Sequence, residues 1–326
     1  MGKRFLHSIA MPNTDLVASA DITPFDLPVN PLSVILLRFE ITNVAPGVVD
    51  TTYSAIDDVI TQITNVRVQH KGEDILQGSL RDLMLLNMIF QRAYPGWHKL
   101  DQLDNAVRSF VFPLCLGRRA YDPDSCFPAT TRGNLRFFMT AGADGAAYDD
   151  INFSVETVEL IEAQPKEYVK VTTNARDSVA GQFDQILPIG NELLGILLFD
   201  TGLRDTLAAA YSWGSVKLLK DNVEQYYPTS DIETLAAMLH MQRMCMSIPA
   251  GHQHMYQGNE AGAALSAETH TPLVNDMRGY AYLDFDPLRD GSYALETAGA
   301  ADLRLRGQGD AASAVRALPI ERVVVK

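Results

Sequence analysis

Phe25-Asp26-Leu27-Pro28-Val29, followed by Val34-Ile35-Leu36-Leu37, is answered half a chain later by Phe183-Asp184, Leu187-Pro188-Ile189 and Ile196-Leu197-Leu198. The two halves also close alike. Leu135-Arg136-Phe137, Gly142-Ala143-Asp144-Gly145 and Val155-Glu156-Thr157-Val158 are matched by Leu303-Arg304-Leu305, Gly307-Gln308-Gly309-Asp310 and Ile320-Glu321-Arg322-Val323. Leu27 and Leu187 stand 160 residues apart, Ile35 and Ile196 161, Val66 and Val216 150, Leu135 and Leu303 168, and Val155 and Ile320 165. These offsets drift across segments that read as loops, 45–62 in the first half and 252–272 in the second. Loops absorb insertions far better than paired strands do, so the drift fits a duplicated unit. The boundary falls at Gln164-Pro165-Lys166, giving domains 1–164 and 165–326. A single larger sandwich with a coincidental echo is the alternative.

Most periodic segments read as strands. The run 31–44 is rich in β-branched and aromatic residues and apolar enough to lie between two sheets. The segment 63–69 alternates, a turn at 70–74 leads into Ile75-Leu76, and strands resume at 109–116, 134–140 and 152–162. Ser79, with Asp82 three residues on, predicts a capped helix over 80–92 that Pro95-Gly96 ends. The second half repeats the order: strands at 193–199 and 215–219, a turn at Lys220-Asp221-Asn222, then a short strand at 223–226. Ser230, with Glu233, caps a helix from Asp231 to about Met244, and strands follow at 280–285, 302–306 and 320–325.

Bulk composition narrows the role. At 326 residues, 47% hydrophobic and 21% charged, the chain has material for two ordinary cores. A formal net charge of −13 argues against a dedicated nucleic-acid binder, which needs a basic stripe to displace counterions. Three cysteines, Cys115, Cys126 and Cys245, have no metal-ligand spacing and suit a reducing compartment. The start Met1-Gly2-Lys3-Arg4-Phe5 leads into no signal-peptide core, and no run approaches the roughly 20 apolar residues of a membrane helix. The expectation is a protein kept in solution in a cytoplasm.

Few residues invite chemistry. His252-Gln253-His254, Glu260 and His270 echo a cupin metal set, but they fall in a segment without strand pattern, where ligands would be poorly preorganised. Asp122-Pro123-Asp124 and Asp284-Phe285-Asp286 place carboxylates close together, as solvated turns and strand edges also do. No nucleophile elbow, Walker loop or dinucleotide fingerprint occurs. Met238, Met241, Met244 and Met246 with Leu235 and Leu239 read as a packed helix face, and Trp97 and Trp213 as buried or interfacial. No catalytic, cofactor-binding or metal-binding residue is nominated.

Seven or eight strands and one solid helix per half suit a jelly roll, so the fold class expected is all-β with short helices, two tandem jelly-roll β-sandwiches in one chain. The blocks Leu27-Pro28-Val29…Val34-Ile35-Leu36-Leu37 and Val66-Arg67-Val68…Ser79…Leu83 carry a resemblance, as do Phe127-Pro128-Ala129-Thr130…Gly133-Asn134-Leu135-Arg136-Phe137 and Tyr293-Ala294-Leu295-Glu296-Thr297…Leu303-Arg304-Leu305. With the duplicated strand order, they make the chain resemble the double jelly-roll major capsid proteins of adenovirus-like icosahedral viruses and tailless membrane-containing phages. The resemblance implies a structural, non-catalytic homotrimer forming pseudo-hexagonal capsomers, without cofactor or metal. It implies neighbouring capsomers, minor capsid proteins and penton proteins as partners, and no specific nucleic acid. It places the chain in the virion after assembly in a host cytoplasm. The basic end formed by Gly2, Lys3, Arg4 and His7 is then an arm for contact with an inner membrane or with minor proteins. The rivals are a viral spike or carbohydrate-binding β-sandwich, which would show an aromatic platform, and a bicupin-type metalloenzyme, which would hold metal at His252 and His254.

Overall fold

The computed structural model describes residues 4–43, 59–91, 96–99, 107–143, 148–177, 179–204, 211–239 and 279–325. The chain divides into two compact units, Met1–Lys170 with Val324–Lys326, and Val171–Val323.

The first unit contains β1 (Arg4–Asp15), β2 (Phe25–Asp26), β3 (Leu32–Asn43), β4 (Ile63–His70), β5 (Glu73–Gly78) and α1 (Leu80–Gln91). It continues with β6 (Gly96–Lys99), β7 (Val107–Cys115), β8 (Leu135–Ala141), β9 (Tyr148–Ile161) and β10 (Glu167–Val171). One sheet runs β1-β9-β3-β7-β6, and a second path runs β10-β5-β4-β8-β2. In β4 and β8 burial alternates: Val66, Val68, Leu135, Phe137 and Met139 are buried, while Arg136 and Phe138 look outward. The strand β3 alternates too. Ile35, Leu37, Phe39 and Ile41 are fully buried, and Leu36, Arg38 and Glu40 are half-buried. The expectation of a strand apolar on both faces is therefore met only at its start, Leu32 to Ile35.

The second unit contains β11 (Asn174–Asp177), β12 (Gly181–Ile186), β13 (Glu192–Phe199), a 3-10 turn (Thr201–Arg204), β14 (Ser215–Lys220) and β15 (Val223–Glu224). It continues with β16 (Ser230–Asp231), α2 (Ile232–Leu239), β17 (Tyr280–Asp284), β18 (Leu303–Gly309) and β19 (Ala314–Val324). Here β13 lies between β17 and β19, with β11 on the far side of β19, and the other sheet runs β12-β18-β14-β15, with β16 also on β14. Both sheets feed one core. Ile196, Leu198, Ala281 and Leu283 come from the first, and Phe183, Val216, Leu218 and Leu305 from the second, around Trp213. The Trp213 indole N–H donates to the Phe199 carbonyl at 3.1 Å and its backbone N–H to Asp200 at 2.7 Å, so its polar groups are satisfied in full burial. The fold is a double jelly roll.

The helices start where side chains replace missing carbonyls. At α1 the Ser79 hydroxyl accepts from the Asp82 N–H at 3.2 Å and the Asp82 carboxylate accepts from the Ser79 N–H at 3.3 Å, a complete capping box. At α2 the cap is one residue later than the sequence implies. Ser230 is held in β16 opposite Val216, and Asp231 accepts from the Glu233 N–H at 2.9 Å. Glu233 instead hydrogen-bonds the Tyr211 phenol, which pushes that phenol up to about 12. The α2 core face is Ile232, Leu235 and Leu239, whereas Met238 is 38% exposed; Met241, Met244 and Met246 lie outside the described residues.

Candidate functional site

The duplicated frame repeats down to single contacts. Leu27 donates its N–H to Leu135 and Leu187 donates to Leu303, both at 2.9 Å. Leu32 exchanges two backbone bonds with Phe127, and Leu193 does so with Leu295, all four at 2.9 Å. Against β9 the register of β3 slips between Leu32 and Val34, and against β19 that of β13 slips between Leu193 and Gly195, so both bulges occupy one equivalent place. Arg67 pairs with Asp74 at 3.1 Å across β4 and β5, and Lys217 pairs with Glu224 at 2.7 Å across β14 and β15.

Two of the sequence matches move. Glu159 faces Leu32 and Glu321 faces Leu193, so the closing strands align at 162 residues and Val158, not Val155, is the counterpart of Ile320. Phe25 faces Phe137, but Phe183 faces Gly307, so Phe183-Asp184 enters its sheet two residues earlier than Phe25-Asp26. A two-residue shift leaves every side chain on its own face, which is why the written motif survives it. The vacated space is used. A β-carbon on Gly307 would come within 2.6 Å of the Phe183 ring, which packs on Trp213 with centroids 5.0 Å apart.

The 162-residue alignment uncovers a pair that pattern reading did not find. Asn30 donates to Glu159 at 2.7 Å, and Asn191 donates to Glu321 at the same distance, both carboxylates being buried beside the equivalent bulges. Its signal was present: Asn30 and Asn191 share the 161-residue spacing of Ile35 and Ile196. In the first unit Ser8 of β1 adds a bond to Glu159 at 3.3 Å, tying the leading strand to this buried carboxylate.

Residues considered for chemistry have structural duties. The Asp122 carboxylate accepts from the Asp124 N–H at 3.0 Å, and Asp124 pairs with Lys166 at 3.2 Å. Asp284 accepts from the Asp286 N–H at 3.0 Å, and buried Asp286 accepts from the Gly291 N–H at 2.7 Å, so both carboxylates close a turn. Burial pushes the Cys115 and Cys126 thiols up to about 12, which suppresses thiolate chemistry. The strand β6 carries Trp97 opposite Phe110. His252, His254, Glu260, His270, Cys245, the whole connection 252–272 and residues 45–58 of the first connection lie outside the described residues, whereas 59–62 are helical with Val59, Ile60 and Gln62 buried. Among the described residues no group of three His, Cys, Asp or Glu side chains is placed to hold a metal, and no helix is long and apolar enough to cross a membrane.

Two clefts among the described residues are lined by the same structural groups. One of ≈ 430 Å³ is bordered by Arg4, Tyr121, Asp124, Glu162 and Lys166, and another of ≈ 250 Å³ by Gln182, Lys217, Thr229, Arg306 and Gln308. In the second cleft Arg306 is held by Asp184 at 2.7 Å and is committed to the sheet. What the molecule offers instead is edges. Among the described residues the strand β1 pairs with β9 on one side only, and it is exposed along most of its length, with Arg4 to Ile9 open to solvent. The basic end is thus a strand from Arg4 onward, in which His7 meets Glu156 at 2.6 Å.

No family model and no curated protein sequence matches the chain. Solved structures do. The chain is similar to the major capsid protein P2 of bacteriophage PM2, with a TM-score of 0.59 and 15% identity over 100% of this chain and 98% of that one. It is similar to a chain of the Sulfolobus Turreted Icosahedral Virus structure, with a TM-score of 0.67 and 12% identity over 98% of this chain and 91% of that one. It is also similar to VP54 of PBCV-1, with a TM-score of 0.61 and 12% identity over 99% of this chain and 94% of that one.

Proposed function

We propose that this chain is the major capsid protein of an icosahedral virus, a structural subunit that works by shape rather than catalysis. The observation that carries it is the full-length likeness, through both units at once, to capsid subunits of PM2, Sulfolobus Turreted Icosahedral Virus and PBCV-1. Domains 1–164 and 165–326 are proposed as the two jelly rolls. Fusing two similar modules lets a three-fold assembly present nearly six-fold edges, and lets each module diverge at its own contacts. The divergence is visible where Phe25 faces Phe137 in one unit, whereas Phe183, two residues earlier in register, faces Gly307 in the other.

The partners are two further copies, neighbouring capsomers, and minor capsid and penton proteins; the place of action is the virion. With His7 paired to Glu156, contact with an anionic inner membrane falls to Gly2, Lys3 and Arg4. Light scattering on the eluting protein, followed by negative-stain imaging, tests the proposal. Particles of three times the chain mass with a hexagonal outline are expected, and a monomer at all accessible concentrations overturns it.

A further inference from the structure

The 162-residue offset that relates β9 to β19 also relates the leading strand to the chain that follows the first domain. Asp15 lies opposite Asn152 and Asp177 opposite Ala314, so Asp177 is the counterpart of Asp15 and β11 that of the end of β1. Further back β1 slips twice against β9, between Ile9 and Met11 and between Met11 and Thr14, whereas the Val325 N–H donates to Lys166 and keeps the β11 register along β19, so the offset grows by two and Phe5–His7 fall on Val169–Val171 of β10. Within the first unit β10 hydrogen-bonds the outer edge of β5, where Lys170 meets Glu73 at 2.5 Å. The counterpart of β5 is β15, as the ion pairs Arg67–Asp74 and Lys217–Glu224 establish. Among the described residues, no strand lies on the outer edge of β15 and none on the outer edge of β1.

We propose that β1 of one copy pairs along β15 of a second copy, repeating between chains what β10 and β5 do within one. The inference rests on the trimeric reading above and names one contact for it.

The backbone is poised for it. Val223 faces Lys220 across a two-residue turn whose residues Asp221 and Asn222 have φ of 52° and 64°, and the Gln225 N–H donates inward to Leu218 at 3.0 Å. Alternation then turns the N–H and C=O of Glu224 outward, toward the open edge. The side chains agree. Phe5, Leu6 and Ile9 are 58%, 50% and 67% exposed, and Val223 and Tyr226 are 59% and 53% exposed. By contrast Val169 and Val171, the counterparts of Phe5 and His7, are buried. An open edge with apolar side chains invites strand addition. Charge is complementary as well, with exposed Arg4 on one edge and exposed Glu224 on the other.

Glu224→Pro removes the outward N–H but spares both hairpin bonds, and proline is tolerated on such an edge. Phe5→Lys with Ile9→Lys attacks the other strand at exposed side chains, Phe5 giving up one edge contact with the Tyr121 ring at 5.5 Å. Each variant is expected to keep the far-ultraviolet circular dichroism of the wild type and to raise the concentration at which the trimer dissociates by about tenfold or more. In the wild type, hydrogen exchange at the Glu224 amide should slow on trimer formation, and this decides the matter if Glu224→Pro does not fold. Wild-type-like trimers from both variants, or a Glu224 amide that exchanges freely within the wild-type trimer, overturn the pairing while the trimeric reading stands. A wild-type chain that never trimerises overturns both.

Discussion

Asp184 accepts from Arg306 at 2.7 and 2.8 Å and from Arg304 at 3.2 Å, across the β12–β18 ladder. The Arg306 hydrogen bonds, with Arg304 beside them, hold its carboxyl below the usual carboxylate range. A depressed folded value means that its stabilisation is present above the unfolded carboxylate value and is lost as pH falls through the folded one. Asp184→Asn should therefore lower the melting midpoint by about 2 °C near neutrality, with the gap closing below about pH 4. Melting curves of both proteins across that range check it; a gap independent of pH would remove the ion pair from the account. The counterpart Asp26 lies 3.7 Å from Arg136, with both side chains nearly half exposed, so one written motif serves a tight clamp in one unit and a loose one in the other.

At the scale of elements, the two helix starts separate what the sequence states from what the sheet imposes. Ser79 caps α1 as its pattern says, whereas Ser230 is recruited into β16 and leaves Asp231 to cap α2. Asp231→Ala should cost about 1 kcal/mol and Ser230→Ala a few tenths at most, measured by denaturant unfolding. Equal losses would return the cap to Ser230. Most of the frame was legible for a related reason. Strands that bury one face, such as β4 and β8, write alternation into the chain, and loops write the drift between the halves. The strand β1 was not legible, because a strand exposed on both faces has no alternation to write, and Arg4 to Asp15 read as a bare terminus. The buried Asn30–Glu159 and Asn191–Glu321 pairs stayed hidden because the partners lie 129 and 130 residues apart in sequence, and only the register brings them together.

For the whole molecule, charge and shape act against each other. Each copy carries a formal −13, so the three copies proposed for one capsomer would carry three times that, and such capsomers approaching edge to edge would repel. The local attraction proposed between Arg4 and Glu224 operates at contact, inside the ring, whereas repulsion between capsomers acts across solvent and is screened over about 8 Å at physiological salt. Salt should therefore affect the two levels of assembly differently. Raising the ionic strength from about 20 mM to about 300 mM should leave the proposed trimer intact, because the edge pairing proposed for it would rest on backbone bonds and apolar side chains, and should promote association of trimers into larger bodies. Static light scattering across a salt series reads both levels at once. Trimers that fall apart as salt rises would mean that ion pairs, and not strand pairing, hold the ring. Larger bodies that dissolve as salt rises would mean that capsomers meet through complementary patches strong enough to outweigh their net charge.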